Sequence, residues 1–250
     1  MNAARPVRFA TVRDSYALSV DKIALASKVL QHLQQNFDWP QVPEQFLFVK
    51  IPQQRLPKDS KPTFDVTKFY KLHRGVQGDL AEPETKLCSV IQEMLKLSAN
   101  GVEFIDFIAK TFEQYVIKKK RSQYGGRAVY ESANVEIRGG VVDYVQNYRT
   151  VDIGVDRIDD KSFVEMCECC LTVLGISIRK DTQIGFYAEC FKQVREELGG
   201  GVRLRFELVA ATTLGMRWSD LIITYLTNFK QRDVEVVGVS YWPEETHPFN

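Results

Sequence analysis

No stretch of this 250-residue sequence approaches the ~18 uninterrupted apolar residues of a membrane helix. The N-terminus lacks the apolar centre of a secretory signal. Histidine is scarce: His32, His73 and His247 stand far apart in no ligand-spaced pattern, which leaves acid–base catalysis at neutral pH without an obvious agent. There is no Gly-x-x-x-x-Gly-Lys-Ser/Thr loop and no Gly-x-Gly-x-x-Gly, which argues against the common mononucleotide and dinucleotide cradles. No serine nucleophile elbow is present. Internal repeats and low-complexity tracts are also missing.

The five cysteines, Cys88, Cys167, Cys169, Cys170 and Cys190, are odd in number and sit inside helical patterns. That argues against a secreted disulfide framework and for a reducing compartment, the cytoplasm first. Arg5, Arg8 and Arg13 precede the first acid, Asp14, giving a faint likeness to a mitochondrial presequence. Pro6 interrupts any early helix, so a plain basic arm is the preferred reading.

What remains is ordinary globular composition, 44% hydrophobic and 26% charged, in a chain long enough to bury a substantial core. The net charge of +1 is unevenly spread. Residues 1–125 carry 19 Lys and Arg against 13 Asp and Glu, while residues 126–250 carry 14 against 19. Any attraction for a polyanion is therefore local, and the same asymmetry suits self-association.

Apolar periodicity predicts a helix from Val20 to Gln35, capped by Ser19, with Ile23, Ala26, Leu30 and Leu33 on one face. Phe46 to Ile51 reads as a strand. Residues 52–62, with three prolines, read as a linker or surface loop. A short helix over Val66 to His73 follows, capped by Asp65. Pro83 opens a helix whose stripe is Leu87, Val90, Ile91, Met94 and Leu95. Asn100-Gly101 separates it from a second helix reaching about Lys120, the two forming a helical hairpin.

From Arg127 the period becomes two, with Gly139-Gly140 as the turn of a hairpin and Val141 to Val155 as return strands. Helices are predicted over Lys161 to Leu174 and Thr182 to Leu198. A strand begins near Val202, a helix spans about Ser219 to Phe229, and a strand spans Val234 to Tyr241. The expected fold is α+β: one compact domain, with a mainly helical, basic part over residues 1–125 and a mixed, mainly antiparallel sheet with helices over residues 126–250.

The densest chemical signal is Lys118-Lys119-Lys120-Arg121-Ser122-Gln123-Tyr124-Gly125-Gly126-Arg127, five cations within ten residues. A Lys/Arg-rich helix end neutralises phosphates, and Tyr124 and Tyr130 offer faces for stacking bases. Arg138, Arg203 and Arg205 extend the track if their strands are neighbours. The competing reading is a solubilised helix end that favours the macrodipole.

Cys167 and Cys170 would share a face of a helix, but zinc usually takes four ligands from separated pairs, so these thiols read as core packing. Gly199-Gly200-Gly201 follows a helix and reads as a C-cap and turn. Asp143, Asp152, Asp156, Asp159 and Asp160 with Glu136 are candidate Mg²⁺ ligands of a nuclease, yet Arg138 is a poor stand-in for a catalytic lysine.

The sequence thus leads to a non-enzymatic, self-associating binder of RNA or single-stranded nucleic acid, with no cofactor, metal or membrane. A scaffold that binds only protein is the alternative. A Mg²⁺-dependent nuclease is the remaining class.

Overall fold

The computed structural model describes residues 6–12, 18–37, 41–144, 150–157, 163–172, 180–213, 218–229 and 233–242. It is an α+β protein built from two compact units, residues 16–115 and residues 1–15 with 116–250. The boundary falls inside one long helix, between Tyr115 and Val116.

The first unit is helical. It contains α1 (Val20–Gln35), α2 (Gln41–Gln45), a π-helical turn (Phe46–Lys50), α3 (Val66–Arg74), α4 (Glu82–Lys96) and the start of α5 (Gly101–Tyr124). Helix α1 begins where expected, with Ser19 Oγ accepting from Lys22 N, and buries Leu25, Ala26, Val29, Leu30 and Leu33. Ile23 is instead exposed, one position off the true stripe.

Helices α1 and α3 both pack on α4, whose expected stripe is buried throughout. Gln92 ties α4 to the entry of α3, accepting from Val66 N and donating to Phe64 O. The residue 52–62 segment lies within this unit as a surface loop. Its Pro57 O accepts from Gly101 N at 2.8 Å. A side chain at Gly101 would meet Leu56 Cβ and Pro57 O at 2.6 Å, so only glycine starts α5 there.

Phe46 to Lys50 is helical, contrary to the expected strand. Its apolar run is buried from Phe46 to Val49. A short run buried on all sides has no polar face to reveal its period.

The second unit is a mixed seven-stranded sheet in the order β1-β2-β4-β5-β6-β7, with β3 on β2. The strands are β1 (Val7–Thr11), β2 (Val129–Ile137), β3 (Gly140–Val141), β4 (Thr150–Asp156), β5 (Phe163–Thr172), β6 (Arg203–Thr212) and β7 (Val234–Ser240). From β1 to β5 the neighbours are antiparallel; β5, β6 and β7 are parallel. Helices α6 (Lys180–Leu198) and α7 (Trp218–Phe229) make the two parallel crossovers.

Phe206 of β6 centres the aromatic core, 4.5 Å from the ring of Tyr187, 4.9 Å from Tyr225 and 5.3 Å from Phe229. On this face Glu168 accepts from Gln183 Nε2 at 2.5 Å and Tyr187 OH at 2.8 Å. Ile184, Phe191 and Val194 are buried in the same cluster.

Residues 163–172 form a strand, which corrects the helix expected over Lys161 to Leu174. Every residue from Val164 to Cys169 is buried, so this central strand shows no in–out alternation. Glu165 and Glu168, three apart, imitate the polar face of a helix. As a strand, the segment places Cys167 and Cys170 on opposite faces, so they do not converge.

Candidate nucleic-acid interface

The last turns of α5, residues 116–124, belong to the sheet-containing unit and carry most of the basic run. A helix turns 100° per residue, so four consecutive cations cannot share one surface. Lys119 and Arg121 are exposed, Lys118 is half-buried, and Lys120 turns inward with 7% of its side chain exposed.

Lys120 meets the face of the sheet where Glu165 and Arg205 are register partners, as are Cys167 and Glu207. Its Nζ lies 2.6 Å from Glu165 Oε1 and also donates to Glu207 Oε2. Cys167 Sγ lies 3.5 Å from Glu165 Oε1 and 3.6 Å from Glu207 Oε2, and Tyr124 OH donates to Glu165 Oε2 at 3.4 Å. Arg205 faces the same Glu165 oxygen at 3.5 Å, an ion pair without hydrogen-bond alignment.

Burial alone would lower the Lys120 pKa, but the Glu165 and Glu207 carboxylates, with Cys167 beside them, outweigh it and raise it. Glu165 is also raised, because burial and the Glu207 charge outweigh the cations. Burial drives the Cys167 thiol well above its ordinary value, so it is a proton donor here and not a nucleophile. Two cations thus face two carboxylates, a neutral cluster deep in the protein.

Among the described residues Glu165, Cys167 and Glu207 form a group whose ligand-capable atoms lie within 4.8 Å of one another. The Lys120 ammonium stands among them, so the chain's own cation occupies that position. The aspartates singled out from the sequence do not enter this group. Asp152 accepts from Cys169 N, Glu136 pairs with Arg8, and Asp159 and Asp160 lie outside the described residues.

The other sequence-predicted cations are dispersed. Arg121 faces Glu131 at 3.7 Å. Arg138 is not on a strand face; it takes φ +48° in the β2–β3 turn, where its Nε pairs with Glu197 at 2.6 Å. The turn therefore consists of Arg138-Gly139, one residue earlier than Gly139-Gly140. Tyr130 packs half-buried against Phe9, with ring centroids 5.8 Å apart. Gly154 makes room for that Phe9 ring, since any Cβ there would strike it. The Arg127 side chain lies outside the described residues.

One grouping does assemble. Phe163 opens β5, and its ring centroid lies 5.7 Å from that of Tyr124 at the end of α5. The Arg203 guanidinium at the start of β6 sits 5.8 Å from the centroid on the same ring. Tyr124, Phe163 and Arg203 form a ladder at the N-terminal edge of the parallel strands, with Phe163 half-buried and Arg203 67% exposed. Arg203 also pairs with Glu235 at 2.9 Å. Phe163 was absent from the sequence-derived set because residues 161–174 read as a helix. The strand register puts Phe163 opposite Arg203.

No protein-family model and no curated protein matches this chain. None of the described helices is long and apolar enough to cross a membrane.

Proposed function

We propose that the unit containing the sheet is a non-enzymatic binding module for single-stranded nucleic acid, RNA first, and that the Tyr124–Phe163–Arg203 ladder is its contact surface. The ladder carries this reading: a half-exposed aromatic ring backed by a second ring and flanked by a guanidinium offers the stacking and cation–π contacts that unpaired bases use. Lys119 and Arg121 of the same helix end supply phosphate contacts, along with Lys118. Lys120 and Arg205 support the surface from below instead of touching the ligand. The pairs of Arg121 with Glu131 and Arg203 with Glu235 are surface pairs, worth about 0–1 kcal/mol, and phosphate exchanges with them at little cost.

The decisive experiment is fluorescence polarisation of a labelled single-stranded oligonucleotide against the full chain. Replacing Lys119 and Arg121 with Glu is expected to abolish binding with the circular dichroism spectrum unchanged. Undiminished affinity would refute the assignment.

A protein-binding scaffold is the second reading. It is favoured by Ile223 and Leu226, one turn apart on α7 and 58% and 42% exposed. Light scattering of nuclease-treated material, with its 260/280 nm ratio, separates the two. The scaffold reading requires oligomers without nucleic acid.

A further inference from the structure

Gly199-Gly200-Gly201, which the sequence presents as a helix stop, has an additional property set by Arg195. Gly199 ends α6 at φ +77°, and Arg195 Nη1 then collects the carbonyl oxygens of Gly199 at 3.4 Å, Gly200 at 3.2 Å and Val202 at 2.6 Å. Arg195 Nη2 donates to Asp233 O at 3.0 Å, fixing the turn against the start of β7. A trans peptide is planar, with its N–H opposed to its C=O. Drawing the carbonyls of Gly199 and Gly200 toward Arg195 therefore points the amides of Gly200 and Gly201 the other way.

No described group accepts from either amide, and open space lies beside both glycines. Both line a shallow cavity of about 390 Å³, together with Arg203, Asp233 and Glu235. Successive unpaired amides and a guanidinium lining one concavity are a recurrent way to hold an oxyanion.

We propose that this cavity is a phosphate-binding nest. The Gly200 and Gly201 amides and the Arg203 guanidinium take one phosphodiester oxyanion of a strand whose base lies on Phe163. The inference rests on the single-strand reading for the identity of the ligand, since Arg203 belongs to both the ladder and the cavity. Glu235 is the competitor, held 2.9 Å from Arg203, whereas the Asp233 side chain is 98% exposed and well hydrated. Phosphate enters by displacing Glu235 from Arg203.

The test is a ¹⁵N-resolved titration of the full chain, first with inorganic phosphate and then with a short single-stranded oligonucleotide lacking terminal phosphates. Both glycine amides are expected to move downfield with either probe. Glu235→Gln should tighten phosphate about fivefold and Arg203→Gln should weaken it about as much, the scale of one surface ion pair.

Shifts with inorganic phosphate, but none with an oligonucleotide that also fails to bind in polarisation, would uphold the nest and overturn the nucleic-acid reading. An oligonucleotide that binds in polarisation while leaving both amides unmoved would overturn the nest alone. Unmoved amides with both probes, or an unchanged phosphate affinity in Glu235→Gln, would also overturn it.

Discussion

The Lys120 ammonium lies 2.6 Å from Glu165 Oε1 and donates to Glu207 as well, so the last lysine of the basic run is neutralised inside the protein. Removing one member of such a buried cluster leaves an uncompensated charge, which costs about 3–5 kcal/mol. Lys120→Met is expected to lose that much in urea denaturation. Lys120→Met combined with Glu207→Gln should recover most of it, because Arg205 then still faces Glu165 and no lone charge is left behind. Equal instability of the single and double variants would show that the cluster's charge balance is not what matters.

Phe9 lies over Gly154 so closely that no side chain fits there. Gly154→Val should destabilise the sheet by about 1–3 kcal/mol through overpacking. Adding Phe9→Ala should relieve part of this, giving a favourable coupling in a double-mutant cycle. Strictly additive effects would contradict the close approach.

Asp65 caps α3 by accepting from Lys68 N at 3.0 Å, and this backbone hydrogen bond lowers its pKa from the usual 3.8. A depressed folded-state value means that the stabilisation is full above the unfolded pKa and is lost as pH falls through the folded one. Asp65→Ala should cost about 1 kcal/mol at neutral pH, and the difference from wild type should shrink below pH 3.8. Asp65→Asn keeps the cap and should remove the pH dependence. Thermal melts across this range provide the check, and a difference constant with pH would contradict the assignment.

Much of the fold was legible because most helices expose a polar face. Helices α1, α3, α4, α6 and α7 fall close to where apolar spacing puts them, and so do β2, β6 and β7. The failures share one physical cause. Residues 46–50 and 163–172 are buried around most of their circumference, so their side chains carry no record of which way is out.

The candidate surface was only half legible for a related reason. A run of Lys and Arg announces charge, but the 100° rotation per residue, invisible in composition, sends Lys120 to the interior and Lys119 and Arg121 to solvent. Phe163 became part of the surface only through strand register, which pairs it with Arg203 across forty residues of chain.

The most direct measurement is the affinity of the wild-type chain and its Phe163→Ala variant for one labelled single strand over a range of salt concentrations. Phosphate contacts require that wild-type binding weaken steeply with salt, and stacking on the ladder requires that Phe163→Ala lose about tenfold in affinity at every salt concentration, within the ~1–3 kcal/mol range of a base–aromatic stack. Equal affinity of the two proteins, or a wild-type chain that does not bind, would contradict it.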